Sequence, residues 1–327
     1  MSGDLVFGVG GVVVALIAVV GAVRFLRSGK GAVGGFGSIV VALLGILVGA
    51  VGVIELIGAS AVSATVVAPT DVPRSSADAA RINRGEHLAY LCALCHSSTG
   101  HLPLDGGRQN LIGNLGGISL GTLYAPNLTP AGPIASWTDG QVLRAIRQGL
   151  DANGHRLFLM PSDGFHQLSD DDALALVAYL RSQLGVERAT PARQFNPLGL
   201  IAIGVGVLGP PPQSPITGPV TAPPVGSAGY GEYLVTVTGC RTCHGANLSG
   251  FGTQAGSGSA NGPNLTTLVP QWSRDQFLTT IRTGRDPNGY NLRPDLMPWP
   301  QVSAAYSDDE LSAMYSYLHQ LEPVQGR

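Results

Sequence analysis

The chain has 327 residues, enough for two or more compact units plus membrane segments. Its formal net charge is −2, which excludes the strongly basic surface that nucleic acid needs. Of its 19 basic residues only Lys30 is a lysine, so a docking face built as a ring of lysines is excluded as well.

Residues 5–23 carry no charge, and 19 residues of that kind span the ~30 Å hydrocarbon core of a bilayer. Residues 34–59 form a second such stretch, interrupted by Glu55 near its far end, where a carboxylate can snorkel to the interface. Arg24, Arg27 and Lys30 lie between the two. The positive-inside rule puts that short loop in the cytoplasm, with the N-terminus and the long C-terminal part outside. A cleaved signal peptide would need a positive n-region, which the first stretch lacks, and it is followed directly by a second span. Gly45 and Gly49 form a small-xxx-small face, packing either on the first helix of the same hairpin or on another membrane subunit.

The remainder reads as water-soluble. Residues 1–60 are thus a transmembrane hairpin and 61–78 an Ala/Ser/Pro/Thr linker; 79–186 form a first domain. Residues 187–227 hold an apolar segment and a proline-rich connector, and 228–327 form a second domain. The apolar segment, 198–209, is too short to cross a bilayer. It either lies on the membrane surface or packs between the domains.

The two domains repeat each other. RGEHLAYLCALCH (84–96) matches YGEYLVTVTGCRTCH (230–244), and APNLT (125–129) matches GPNLT (262–266). Trp137 and Trp272 open stretches leading to AIRQG (145–149) and TIRTG (280–284). Leu-Met-Pro recurs at 159–161 and 296–298, and LSDDDALALVAYLRS (168–182) matches YSDDELSAMYSYLHQ (306–320). The last pair are amphipathic helices with a Ser N-cap and an acidic first turn. The expected fold class is mainly α.

All four cysteines fall in two Cys-x-x-Cys-His motifs: Cys92, Cys95 and His96, then Cys240, Cys243 and His244. This is the attachment signature of c-type haem. The thiols add to the vinyl groups, and the adjacent His is held under the iron. The expected cofactors are therefore two covalent haems c. A zinc site would need four ligands gathered from both domains and would leave the repeated Met loops unexplained. For the sixth ligand, thioether sulfur opposite imidazole closes the iron and raises its potential. Met1 is the start and Met314 sits inside the final helix, leaving Met160 and Met297; His101, His155, His166 and His319 are the rivals.

On these motifs the chain resembles the class I cytochrome c fold twice over, across 79–186 and 228–322. The resemblance implies two all-helical cytochrome c-like domains after the hairpin. It also implies that a proline carbonyl, from Pro126 in APNL and Pro263 in GPNL, steadies each proximal histidine. The motif order looks like the cytochrome subunits of membrane-bound alcohol and gluconate dehydrogenases. An anchor with two haem domains is also similar to the di-haem subunit of cbb3-type oxidases. Arg147 and Arg282 either pair with haem propionates or are C-terminal helix cations favoured by the dipole.

The expected function is electron transfer. A membrane-bound dehydrogenase or a quinol-oxidising partner among the respiratory-complex subunits would supply electrons, and a soluble carrier or oxidase would take them. The site would be the outer face of the cytoplasmic membrane, and the lipid bilayer would be a partner too. A di-haem peroxidase-type enzyme would need an open sixth position, against which the two Met loops argue.

Overall fold

Helix α1 (Gly3–Arg27) and helix α2 (Ala32–Ser63) take up the two apolar stretches. The protein is described here from a computed structural model covering residues 3–28, 32–66, 78–209, 211–250 and 262–325. Lys30 and residues 67–77 of the expected linker lie outside the described residues. Both helices are long and apolar enough to cross a membrane. At 1.5 Å per residue, α2 runs ~48 Å.

The hairpin closes through small residues. A Cβ added at Gly45 would lie 2.6 Å from the Ala18 Cβ, and one at Gly49 the same distance from the Ala15 Cβ. The Gly45/Gly49 face is therefore used inside the hairpin, against α1, and not on another subunit. Farther along, Gly52 meets the Gly8 carbonyl at backbone distance.

The first repeat contains α3 (Ala79–His96), α4 (Asp139–Gln148), α5 (Ser162–Phe165) and α6 (Asp170–Ser182). A short antiparallel ladder, β1 (Gly121–Thr122) with β2 (Gln194–Phe195), leads into α7 (Pro197–Gly204). The second repeat contains α8 (Ala228–Val237), α9 (Cys240–His244), α10 (Leu265–Leu268), α11 (Arg274–Thr283), α12 (Trp299–Ala305) and α13 (Asp308–His319). The fold is mainly helical, as expected.

The repeat holds at the level of single bonds. Thr138 with Gln141, and Ser273 with Gln276, form capping boxes at the starts of α4 and α11. In each half the first helix crosses the last with no side chain between them. A Cβ at Gly85 would lie 1.9 Å from the Ala175 carbonyl oxygen, and one at Gly231 would lie 2.0 Å from that of Ala313.

The halves are not beads on a connector. One hydrophobic core runs through both, from Leu88, Leu176 and Val177 to Leu234, Tyr306 and Leu311. Helix α12 of the second half packs on α3 of the first, and Gln301 Nε2 donates to the Gly100 carbonyl at 2.9 Å. The proline-rich connector is itself laid across the first half. Asp170 N donates to the Val220 carbonyl at 2.7 Å, and Gln213 N to that of Gln148 at 2.9 Å.

A charged cluster sits on the seam. Arg84 places Nε 2.8 Å from Asp172 Oδ1 and Nη1 2.6 Å from Glu310 Oε1. Tyr233 donates to Asp172 Oδ2 at 2.6 Å and Tyr230 to Glu310 Oε1 at 3.1 Å. Arg84 and Tyr230 are equivalent positions of the repeat, as are Asp172 and Glu310, so the starts of the first and last helices of both halves meet here. The side chains of Asp172 and Glu310 are only 11% and 13% exposed. Removing the one cation between them leaves two nearly buried carboxylates facing each other. Arg84→Ala is expected to cost about 2–3 kcal/mol, read as a lower midpoint in thermal unfolding followed by circular dichroism; an unchanged midpoint contradicts the role.

Candidate haem sites

In the second half, α9 carries Cys240, Cys243 and His244 on one wall of an apolar cavity. The space, open mouth included, is about 1250 Å³. Met297 stands on its wall, and Met314 reaches it from α13. His244 Nδ1 lies 2.8 Å from the Pro263 carbonyl oxygen. A carbonyl only accepts, so Nδ1 carries the proton and Nε2 keeps its lone pair. Burial pushes this imidazole below its ordinary pKa, against the hydrogen bond to Pro263, so it is neutral near pH 7. A neutral ring with its lone pair on Nε2 is the form that ligates a metal.

The GPNL loop is shaped around that ring. A Cβ at Gly262 would lie 2.5 Å from His244 Nδ1, so a side chain there would displace the imidazole. Gly262 N also donates to the Cys243 carbonyl at 2.8 Å. The next residue but one locks the loop: Asn264 Oδ1 accepts from Thr266 N and Oγ1, and its Nδ2 donates to the Val324 carbonyl at 2.7 Å.

The first half repeats this arrangement. α3 runs unbroken through Cys92 and Cys95 to His96. His96 Nδ1 lies 2.9 Å from the Pro126 carbonyl oxygen, and burial lowers the pKa of this imidazole too. Asn127 Oδ1 accepts from Thr129 N and Oγ1, while Nδ2 donates to the Val186 carbonyl at 2.7 Å. Ala125 replaces the loop glycine. Here the close approach is made instead by Gly107, whose Cβ would lie 2.4 Å from the Cys95 carbonyl oxygen and whose N donates to the Ala125 carbonyl. The His–Pro contact is therefore kept without the glycine.

The Met loops are superposable in backbone terms. Pro161 has φ −76° and ψ 55°, and Pro298 has φ −76° and ψ 53°. Ser162 N donates to the Met160 carbonyl and Trp299 N to that of Met297, each at 2.7 Å. Each is an inverse γ-turn. Met160 and Met297 both pack, half-buried, against the shared core. The rival histidines have other surroundings. His166 Nδ1 is 3.0 Å from the Arg147 carbonyl, His155 is 3.4 Å from Asp151, His319 lies against the Tyr315 ring, and His101 is exposed.

Burial, and secondarily the neighbouring thiol, pushes Cys92 and Cys240 up to about 12; burial raises Cys95 and Cys243 as well. All four are protonated thiols at neutral pH.

Arg147 and Arg282 are engaged in packing. Arg147 binds Asp170 Oδ1 at 2.8 Å and the Leu168 carbonyl. Arg282 binds Asp308 Oδ1 at 2.7 Å, the Tyr306 carbonyl at 2.8 Å and the Ser303 carbonyl. Arg147 thus ties α4 to the start of α6, and Arg282 ties α11 to the start of α13. Among the described residues lining the second cavity, the cation is Arg293, with Tyr290 near it. Sequence reasoning passed over Arg293 because the first half has no counterpart for it. It passed over Asn127 and Asn264 as well, although the repeated Asn-Leu-Thr was the signal for them.

The cavity, the paired thiols, the ligating imidazole and the thioether together fit a covalently held haem. Residues 229–322 match the cytochrome c family. The second half is a cytochrome c domain. Across most of its length the chain is similar to one of the subunits of nicotinate dehydrogenase from Pseudomonas putida, 31% identical over 78% of this chain and 23% of that one. It is also similar to the cytochrome c subunit of the quinone-dependent alcohol dehydrogenase of Gluconacetobacter polyoxogenes, 28% identical over 76% of this chain and 57% of that one. The fructose dehydrogenase cytochrome subunit of Gluconobacter japonicus is 28% identical over 76% of this chain and 54% of its own length. The chain thus spans little more than half the length of these cytochrome subunits and about a quarter of the nicotinate dehydrogenase chain.

Gly262→Leu is expected to block haem attachment at the second motif while leaving the first intact. The haem-to-protein absorbance ratio then falls to about half, and proteolytic fragments carry haem on Cys92/Cys95 alone; full attachment at Cys240 and Cys243 contradicts the geometry.

Proposed function

We propose that this chain is a membrane-anchored di-haem c-type cytochrome, the electron-transfer subunit of a dehydrogenase complex. The observation that carries the proposal is the duplicated geometry. Two Cys-x-x-Cys-His motifs each have the histidine Nδ1 within 3 Å of a proline carbonyl, and each is followed by the same Met-Pro γ-turn. Cys92 and Cys95 would hold one haem with His96 and Met160 as its axial ligands. Cys240 and Cys243 would hold the other, with His244 and Met297. When bound, haem supplies one-electron redox chemistry. The protein fixes the imidazole tautomer through Pro126 and Pro263, provides the thioethers, and keeps water from the apolar cavity wall. Arg293 is the propionate partner that best fits the second site, by its place on the cavity.

The dehydrogenase partner rests on the relatives, which are cytochrome subunits of alcohol, fructose and gluconate dehydrogenases. Electrons would pass on to a soluble carrier or an oxidase. The rim of the second cavity suits a soluble acceptor, since Tyr290 and Leu296 are exposed there. The anchor is the α1–α2 hairpin, whose Ile17, Leu43, Leu44 and Leu47 face outward, as lipid contact requires. Arg24 and Arg27 lie in the last turn of α1; with that end in the cytoplasm by the positive-inside rule, both haem domains would lie outside.

Met160→Ala and Met297→Ala are each expected to remove half of the near-infrared sulfur-to-iron charge-transfer band of the oxidised protein and to lower the potential of the affected haem. A full band in both variants would show that neither thioether is a ligand. Purification of the full chain in mild detergent is expected to bring down a dehydrogenase subunit; recovery with a haem–copper oxidase instead would overturn the partner assignment.

A further inference from the structure

Helix α7 and the chain after it form an uncharged surface that the electron-transfer reading does not use. Residues 194–209 contain no ionisable side chain. One side of this segment is buried: Leu200, Ile203 and Leu208 share a cluster with Phe158 and Phe195, against Ala59, Ala61 and Val62 of α2. The contact with α2 is made at backbone level in both directions. A Cβ at Gly58 would lie 1.8 Å from the Leu200 carbonyl oxygen, and one at Gly204 would lie 2.2 Å from that of Ile54. The other side is open. Leu198 and Val205 are each 53% exposed, Val207 is 75% exposed, and the adjoining turn adds Ile118 at 54%. That turn is held to α7 by the close approach of Gly199 to the Leu120 carbonyl.

The hairpin sets the level of this surface. Gly8, one turn inside the uncharged stretch 5–23 of α1, packs on Leu56 of α2. Helix α7 meets α2 from Ile54 to Gly58, at that same level. With the loop of the hairpin in the cytoplasm, this is the outer boundary of the hydrocarbon region. The first half is also joined to α2 without slack. Val66 N donates to the Gly154 carbonyl at 2.9 Å, and Thr65 is bridged to His155.

The repeat gives an internal comparison. Phe158, buried under the α7 cluster in the first half, lies where the second half has Arg293-Pro294-Asp295. Arg293 and Asp295 form an ion pair with side chains 63% and 60% exposed. In the first half this position is a buried ring with Arg156 and Arg193 stacked over it, and in the second it is an ion pair open to water.

We infer that the surface formed by Ile118, Leu198, Val205 and Val207 is immersed in the outer boundary of the bilayer, so that the first half is seated on the lipid in a fixed orientation and the second stands off it. The inference rests on the anchoring proposed above. Continuity with the hairpin makes lipid the occupant, because the surface begins where α2 leaves the membrane. The absence of charge among residues 194–209 fits an acyl-chain boundary, where burying apolar side chains is favourable in proportion to the area removed from water, and Arg156, which binds the Leu208 and Gly209 carbonyls, sits at its edge as a headgroup-level cation.

The test uses the full holo-chain in phospholipid nanodiscs, in which the four native cysteines are consumed as thioethers. Single nitroxide labels are placed through Ile118→Cys, Leu198→Cys, Val205→Cys and Val207→Cys. Leu43→Cys in α2 serves as the lipid reference and Leu184→Cys, 86% exposed, as the aqueous one. Power-saturation spectroscopy then compares access to oxygen, which partitions into lipid, with access to a water-soluble nickel chelate. Labels at 118, 198, 205 and 207 are expected to favour oxygen over the nickel chelate, as position 43 does, by a smaller margin that reflects their shallower depth. If position 43 reports lipid while those four match position 184, the surface faces water and the inference is wrong, although the anchor stands. If position 43 itself is aqueous, the anchoring reading fails. If the four positions are shielded from both reagents, a protein occupies the surface, and the inference is overturned in favour of that partner.

Discussion

The structure depends on a single hydrogen bond made twice. A buried imidazole must spend one nitrogen on the protein before the other can serve a metal, and here that nitrogen is Nδ1, held by the carbonyl of Pro126 in one half and of Pro263 in the other. Proline is suited to the task, since its ring fixes φ and its missing N–H leaves no competing donor. Much of each half arranges itself around that contact. Asn127 and Asn264 bolt the proline loop to the chain leaving the last helix. Gly107 and Gly262 let the loop approach the end of the Cys-x-x-Cys-His segment.

Duplication of such a unit raises a packing problem, because each half alone is small. The chain solves it by fusing the two cores along α3 and α12, with the Arg84 cluster on the seam. Arg84 is held protonated by Asp172 and Glu310 against the cost of its burial. An ion cluster at such a place contributes more to register than to net stability. A fixed register suits a protein proposed to hand electrons from one half to the other, since it holds the two sites at constant separation.

Much of this was legible from residues alone. The repeat, both attachment motifs, the Met-Pro loops and the apolar hairpin are local patterns, and each appears in the structure where the pattern put it. The proline carbonyls came through the family resemblance, and the geometry supplies them even where Ala125 replaces the usual glycine. The parts that sequence could not disclose are non-local. Arg84 finds Glu310 across 226 positions, and nothing in either segment announces the partner. The carbonyl and carboxylate contacts of Arg147 and Arg282 are likewise made to residues 21 to 26 positions away, and neither segment announces them. The Gly45/Gly49 face gave no hint of which helix it would meet. The segment 198–209 could be placed on lipid or between domains, and its packing on α2 is visible only in three dimensions.

The claim from which the rest follows is that one chain holds two covalent haems. Intact-mass spectrometry of the full chain, made in a host that matures c-type cytochromes, tests it most directly. Two haem masses on a single polypeptide, reduced to one in either Cys92→Ala/Cys95→Ala or Cys240→Ala/Cys243→Ala, is the predicted result. A chain that carries one haem mass, with the first pair of cysteines left as free thiols, would contradict it.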